Sequence, residues 1–222
     1  MAYDLEEQEQ LDTLKAWWKQ YGNLVTWILI VALSSYAAWT AWNTYQGNQS
    51  TQASQLYDEL QKSIVAKDNV KVQRTAGDLL EKFPRTAYAP MAALSAAKGA
   101  FDANDLKGAK IQLHWVLDHS SVNEYKFLAR LRLAGIALDE KSYDEGLSLL
   151  SAEFPSEFAA AVADVKADIL LSQGKIADAR AAYQLALSKQ NEKNPGRQLT
   201  QIKLDSIGGA VDGAVASQVV VQ

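Results

Sequence analysis

ADILLSQGKIADARAAYQLAL, residues 167–187, reads as two helices folded back on each other across a glycine. Gly174 follows an apolar helical run, where a residue with a left-handed backbone ends a helix. Ala179, Tyr183 and Ala186 then fall five, nine and twelve positions later. That spacing puts all three on one helical face. Small residues there let two helices approach closely, and the aromatic ring fills the gap between neighbouring units. The pattern recurs upstream. With Asn104 in the place of Gly174, Ala109, Leu113 and Val116 take the equivalent positions; with Lys141 there, Gly146 and Leu150 do. The offsets between these turns are 37 and 33 residues, inside the 20–50 range that signals stacked repeats. On the preceding helices, Ala93, Ala96, Ala97 and Ala100, then Ala134 and Ala137, supply small packing positions, and Gly99 and Gly135 lie among them. A looser fourth unit, residues 53–83, sets Ala76 and Leu80 at matching spacing. An ordinary bundle with chance recurrence of Ala is the alternative, but it does not require a near-constant register.

Working outward, helices alternate with short turns. The patterning predicts helices over residues 70–83, 86–101, 106–118, 123–138, 143–154, 156–171 and 176–189. Pro84 and Pro155 act as stops, and Ser156 is the expected N-cap of the sixth. Connections this short force antiparallel neighbours. Leu199, Ile202, Leu204 and Ile207 suggest one more short helix that caps an open end. Residues 208–222 read as a flexible tail. The best unit has the second-helix spacing of a tetratricopeptide repeat. The expected fold is all-α: one N-terminal transmembrane helix, then a tetratricopeptide-like solenoid of about four helical hairpins.

The membrane segment is LVTWILIVALSSYAAWTAW, residues 24–42, which holds no charge, Pro or Gly. As a helix it spans roughly 28 Å, the thickness of a bilayer core. Leu24 and Trp27 begin it, and Trp39 and Trp42 end it. Five of the six Trp residues fall between positions 17 and 42, as suits rings that prefer the headgroup zone. Lys15 and Lys19 precede the span, and the next basic residue is Lys62, so the N-terminus is expected in the cytoplasm and the rest on the far side. A cleaved signal peptide is the alternative, but the acidic start, the long apolar core and the Trp residues near a cleavage site favour an uncleaved anchor. The expected domains are a cytoplasmic segment at 1–20, the span at 21–45, an exported repeat domain at 46–207 and the tail. Polar residues 43–55 read as a linker that Gly47 loosens.

Composition excludes several classes of function. Of 22 basic and 26 acidic residues, two basic and five acidic precede Gln46. The remainder is nearly neutral and without a basic stripe, which argues against nucleic acid as a partner. There is no Cys, so thiolate catalysis, disulfides and Cys-ligated zinc are ruled out. His114 and His119 are the only histidines, and their spacing of five suits no helical metal pair. No phosphate loop or nucleophile elbow occurs. The chain is not expected to be an enzyme or to bind a cofactor. Lys126, Arg130 and Arg132 form the densest basic group, read either as an acidic partner's contact or as a solvated helix face.

The runs PRTAYAPMAALSAAKGAFDANDLKGAKIQLHWVLDHS (84–120), FLARLRLAGIALDEKSYDEGLSLL (127–150) and VKADILLSQGKIADARAAYQLAL (165–187) resemble the bacterial ancillary subunit of the Sec translocon. The resemblance covers roughly residues 1–207. Ala167-Asp168 and Asn104-Asp105 stand where that family usually has Gly-Asp. The resemblance implies a single-span inner-membrane protein with a periplasmic tetratricopeptide-like domain. It implies two partners, the translocon channel and a membrane-anchored periplasmic chaperone of the prolyl-isomerase type. It also implies help in passing on secreted polypeptides, outer-membrane proteins among them. The first helices of the repeats, near residues 88–101 and 125–138, are expected to line a groove, with Tyr88, Lys126, Arg130 and Arg132 as candidate partner contacts. A tetratricopeptide scaffold for cell-envelope assembly or cell division is the other reading.

Overall fold

The computed structural model describes residues 2–191 and 193–208, with side chains described from residue 9 onward. Its helices are α1 (Ala2–Val65), α2 (Asn69–Lys82), α3 (Tyr88–Asp102), α4 (Leu106–His119), α5 (Asn123–Asp139), α6 (Tyr143–Leu150), α7 (Ala159–Ser172), α8 (Ile176–Lys189) and α9 (Gly196–Ser206). A 3-10 turn, Ser156–Phe158, precedes α7. No strand occurs among the described residues. The chain divides after Gln52 into two compact units, each taken by itself.

The second unit is built on one turn used four times. Lys67, Asn104, Lys141 and Gly174 have φ of 56°, 60°, 60° and 76°. After each, the next residue donates its backbone N–H five residues back: Asp68 to Ser63, Asp105 to Ala100, Ser142 to Ala137 and Lys175 to Leu170, at 2.8–3.0 Å. This is a Schellman-type closure, which satisfies carbonyls that the end of a helix leaves open. The register set by Gly174, Asn104 and Lys141 is therefore a register of backbone geometry, and Lys67 extends it to the loosest unit. Asp68 and Asp105 also cap the helix that follows, accepting from the N–H of Lys71 at 3.0 Å and of Gly108 at 2.8 Å.

Packing follows the same order. Ala53 and Leu60 of α1 pack with Val72, Ala76 and Leu79 of α2 and with Ala92 and Ala96 of α3. Ala93 and Ala97 of α3 join Ala109, Leu113 and Val116 of α4 and Ala129 and Leu133 of α5. Ala134 of α5, Leu150 of α6 and Ile169 of α7 form the third cluster. Ala167 and Leu170 of α7, Ala179, Tyr183 and Leu187 of α8 and Leu204 of α9 form the fourth. Each cluster joins one hairpin to the first helix of the next, which is the nearest-neighbour logic of a solenoid. The small alanine positions read from the sequence are buried: Ala109, Ala179 and Ala186 are fully so. α9 closes the last hairpin through Leu204, as the expected capping helix does.

Three local expectations change. The helix expected over 143–154 ends at Leu150, where the hydroxyl of Ser151 donates to the Ser148 carbonyl at 2.7 Å. Phe154 then packs beside Phe127 and Phe158, with ring centroids at 5.4 and 6.3 Å. Ser156 opens the 3-10 turn and makes no capping bond to α7. Residues 43–55 remain inside α1. A single exposed Gly costs a helix only about 1 kcal/mol, and the Gly47 carbonyl also accepts from Thr51 Oγ1 at 3.0 Å. The expected tail lies, apart from Gly208, outside the described residues.

In the first unit, α1 is long and apolar enough to cross a membrane, with a mean hydropathy of 1.7 over its best window and none of that window buried. Leu24, Trp27, Trp39 and Trp42 are all exposed. Two of its hydroxyls bond within the helix: Thr26 donates to the Gly22 carbonyl and Ser35 to the Val31 carbonyl, both at 2.7 Å. Aromatic pairs mark both ends, Trp17 with Tyr21 at 5.8 Å and Trp42 with Tyr45 at 6.3 Å.

Candidate functional site

The first helices of the second and third hairpins, α3 and α5, bound a cleft of about 480 Å³. α3 supplies Ala97, Lys98, Phe101 and Asp102; α5 supplies Arg132, Gly135, Ile136, Leu138 and Asp139; Leu113 of α4 forms part of the floor. The apolar wall comes from Phe101, 44% exposed despite its size. The space beside Gly135 is open, with nothing within 4 Å of where a Cβ would lie.

The polar groups of the cleft are unevenly matched. Lys98 pairs with Asp102 at 2.6 Å. Arg132 reaches across from α5 and donates through Nη1 to the Leu94 carbonyl of α3 at 2.9 Å. It has no ion pair among the described residues, and burial lowers its pKa. Asp139 likewise has no charged partner among the described residues. A neutral carbonyl satisfies one of the five guanidinium N–H groups. The charge remains half-buried and uncompensated, an arrangement that favours an anionic partner.

Of the candidate contacts, the structure brings Arg132 alone to the cleft. Arg130 lies two residues away, a rotation of roughly 200° around the helix, and neither it nor Lys126 lines the cleft. Tyr88 packs elsewhere, its ring 5.4 Å from that of Tyr57 at the first hairpin. Burial raises the Tyr57 pKa, opposed by a hydrogen bond from Gln61. The residues that reading the sequence did not single out are Lys98, Asp102 and Asp139. The repeat itself signalled two of them: Asp102 and Asp139 stand 37 residues apart, as do Lys98 and Gly135 and the turn residues Asn104 and Lys141.

The family model described as a tetratricopeptide repeat-like domain matches residues 15–209. A curated relative from Neisseria gonorrhoeae, an ancillary SecYEG translocon subunit, is 31% identical over 93% of this chain and 100% of its own length. The chain belongs to this family. Relatives of the same description from Haemophilus influenzae and Escherichia coli are 28% and 26% identical, over 93% and 90% of this chain and 100% and 96% of their own. No solved structure gives a significant match.

In this ancillary-subunit chain the histidines stand apart from the cleft. The His119 ring stacks on Trp115 at 4.7 Å, with Nδ1 3.0 Å from the Trp115 carbonyl. His114 is exposed on the same helix. No group of three or more His, Asp or Glu residues suited to a metal ion occurs among the described residues.

Proposed function

We propose that the chain is a membrane-anchored, polypeptide-binding subunit of the Sec translocon. In this reading residues 21–45 cross the inner membrane, residues 1–20 lie in the cytoplasm and residues 46–207 lie in the periplasm. The repeat domain holds secreted and outer-membrane polypeptides as they leave the channel and passes them to a membrane-anchored chaperone of the prolyl-isomerase type. The observation that carries the reading is the open cleft on the first helices of a tetratricopeptide-like domain, in a chain that also has one helix long enough to cross a membrane. The tether adds to its effect, because a linked site works at an effective concentration near the millimolar range. Weak contacts in the cleft then suffice.

Cross-linking in intact membranes, mild-detergent purification of the full chain and mass spectrometry of its companions test the reading. Recovery of the channel together with a periplasmic chaperone supports it. Recovery of division or cell-wall proteins without the channel replaces it with the envelope-scaffold reading. The chain has no Cys, so single cysteines placed at Ala2 and at exposed Ile111 report sidedness through a membrane-impermeant thiol reagent. Labelling of the Ala2 site in intact spheroplasts overturns the proposed orientation.

A further inference from the structure

We infer that the cleft between α3 and α5 selects a polypeptide segment carrying a carboxylate beside an apolar side chain, the carboxylate meeting Arg132 and the apolar group filling the space above Gly135. The inference rests on the polypeptide-binding reading above and names the chemistry of that site.

The charge balance of the cleft points to this occupant. Lys98 is already paired with Asp102 at 2.6 Å. Arg132 is the remaining cation in the lining, and among the described residues its one hydrogen bond is to the Leu94 carbonyl. A carboxylate accepts two parallel N–H bonds from a guanidinium, a fit that a neutral carbonyl does not provide. Asp139 and Asp102 stand in the same lining. They would repel a polyphosphate or nucleic acid, and they leave room for a single negative charge placed at Arg132. Asp139 lies seven residues further along α5, about 10 Å by helical rise. It favours a donor or a basic group at the other end of the segment and so gives the segment a direction. The apolar part is set by Phe101, Ile136 and the absent side chain at Gly135.

The test uses the full chain in nanodiscs. The probes are short fluorescent Ala-Gln peptides, acetylated and amidated, with one Leu and one Glu at each spacing within a helical turn. Matched peptides carry Gln for Glu, or a free C-terminal carboxylate without Glu. The best Glu peptide is expected to bind about tenfold tighter than its Gln match, the scale of one charge-assisted bond. Arg132→Gln, which removes the charge and keeps a polar side chain, should erase that difference and leave binding of the Gln peptide unchanged. Arg132→Lys should restore part of it. Gly135→Leu should weaken every peptide while the thermal midpoint holds. Tighter binding of the free-carboxylate peptide assigns the carboxylate to a chain end; tighter binding of the Glu peptide assigns it to a side chain. Equal binding of Glu and Gln peptides by the unmodified chain overturns the inference but not the proposed function. Loss of the channel from the cross-linked complex, with the Glu preference intact, overturns the translocon assignment and spares the inference.

Discussion

The hydroxyl of Tyr183 donates to Asp168 across 2.5 Å, and Lys203 takes the other oxygen of the same carboxylate at 2.7 Å. One carboxylate on α7 therefore ties down both α8 and α9. Asp164 doubles the tie, accepting from Lys203 at 2.9 Å and from Thr200 at 2.9 Å. The two ways of cutting this network differ. Tyr183→Phe removes a donor while Asp168 keeps Lys203, and should lower stability by about 1 kcal/mol. Asp168→Ala strands the hydroxyl of Tyr183, which is 1% exposed, and should lower stability by about 2–3 kcal/mol. Thermal unfolding of the two variants followed by circular dichroism checks the order; equal losses would mean that the hydroxyl has found another partner.

The same network sets the response to alkali. Tyr183 is shifted well above its ordinary value of 10.0, by burial first and then by the hydrogen bond to Asp168. For Lys203, burial pulls downward, but the bonds to Asp168 and Asp164 outweigh it and the net shift is upward from 10.5. Both groups hold their protons more tightly when folded. Their contribution to stability is complete below the ordinary values and is lost as pH rises through the raised ones. The thermal midpoint should stay level from neutrality to about pH 10 and then fall. In Tyr183→Phe, and separately in Lys203→Met, the fall should be shallower. An unchanged slope in both variants would place the alkaline loss elsewhere.

The four turns offer a second test of the repeat register. Lys67 and Lys141 hold left-handed backbone conformations, φ 56° and 60°, that Gly174 holds without strain. Lys141→Gly should stabilise the chain by about 1 kcal/mol, and Gly174→Ala should destabilise it by a similar amount. For a chain of this length that is about 2–4 °C in the midpoint in each direction. A loss of stability in Lys141→Gly would mean that its side chain contributes more than the backbone strain removes.

Much of this was legible because the repeat writes its packing into spacing. Ala109, Ala179 and Tyr183 were recognisable as core from their distances to a turn residue, before any contact was known. What failed to show was what spacing along the chain hides. Lys126, Arg130 and Arg132 are neighbours in sequence, yet a two-residue step turns Arg130 away from the cleft that Arg132 enters. Pro155 promised a helix running up to it, but α6 ends earlier, where the Ser151 hydroxyl competes for the Ser148 carbonyl. Gly47 looked like a break because its flanks are polar, but polar residues with an otherwise continuous ladder keep a helix intact. The unpaired charge of Arg132 was not legible at all, since it depends on the distance to a carbonyl 38 residues earlier.

Glycines on two helices should respond in opposite senses, and the contrast separates packing from propensity. Gly77 on α2 has nothing within 4 Å of a built Cβ. Gly77→Ala should therefore show only the gain in helix propensity, about 0.5–1 kcal/mol. Gly146 on α6 occupies the small position that Ala109 and Ala179 hold in the neighbouring units. A Cβ there would lie 2.8 Å from Cδ1 of Ile169, 3.4 Å from the Ala134 carbonyl and 3.5 Å from the Ala137 Cβ. Ile169 is fully buried, so its terminal carbon has little room to retreat. The overpacking penalty, about 1–3 kcal/mol, exceeds the propensity gain, and Gly146→Ala should unfold at a lower temperature than the unmodified chain. In Gly146→Ala combined with Ile169→Val the clash is relieved, because the methyl that the new Cβ would strike is gone. The double variant should be more stable than the sum of the two single losses predicts, and a strictly additive result would show that α6 shifts bodily to make room.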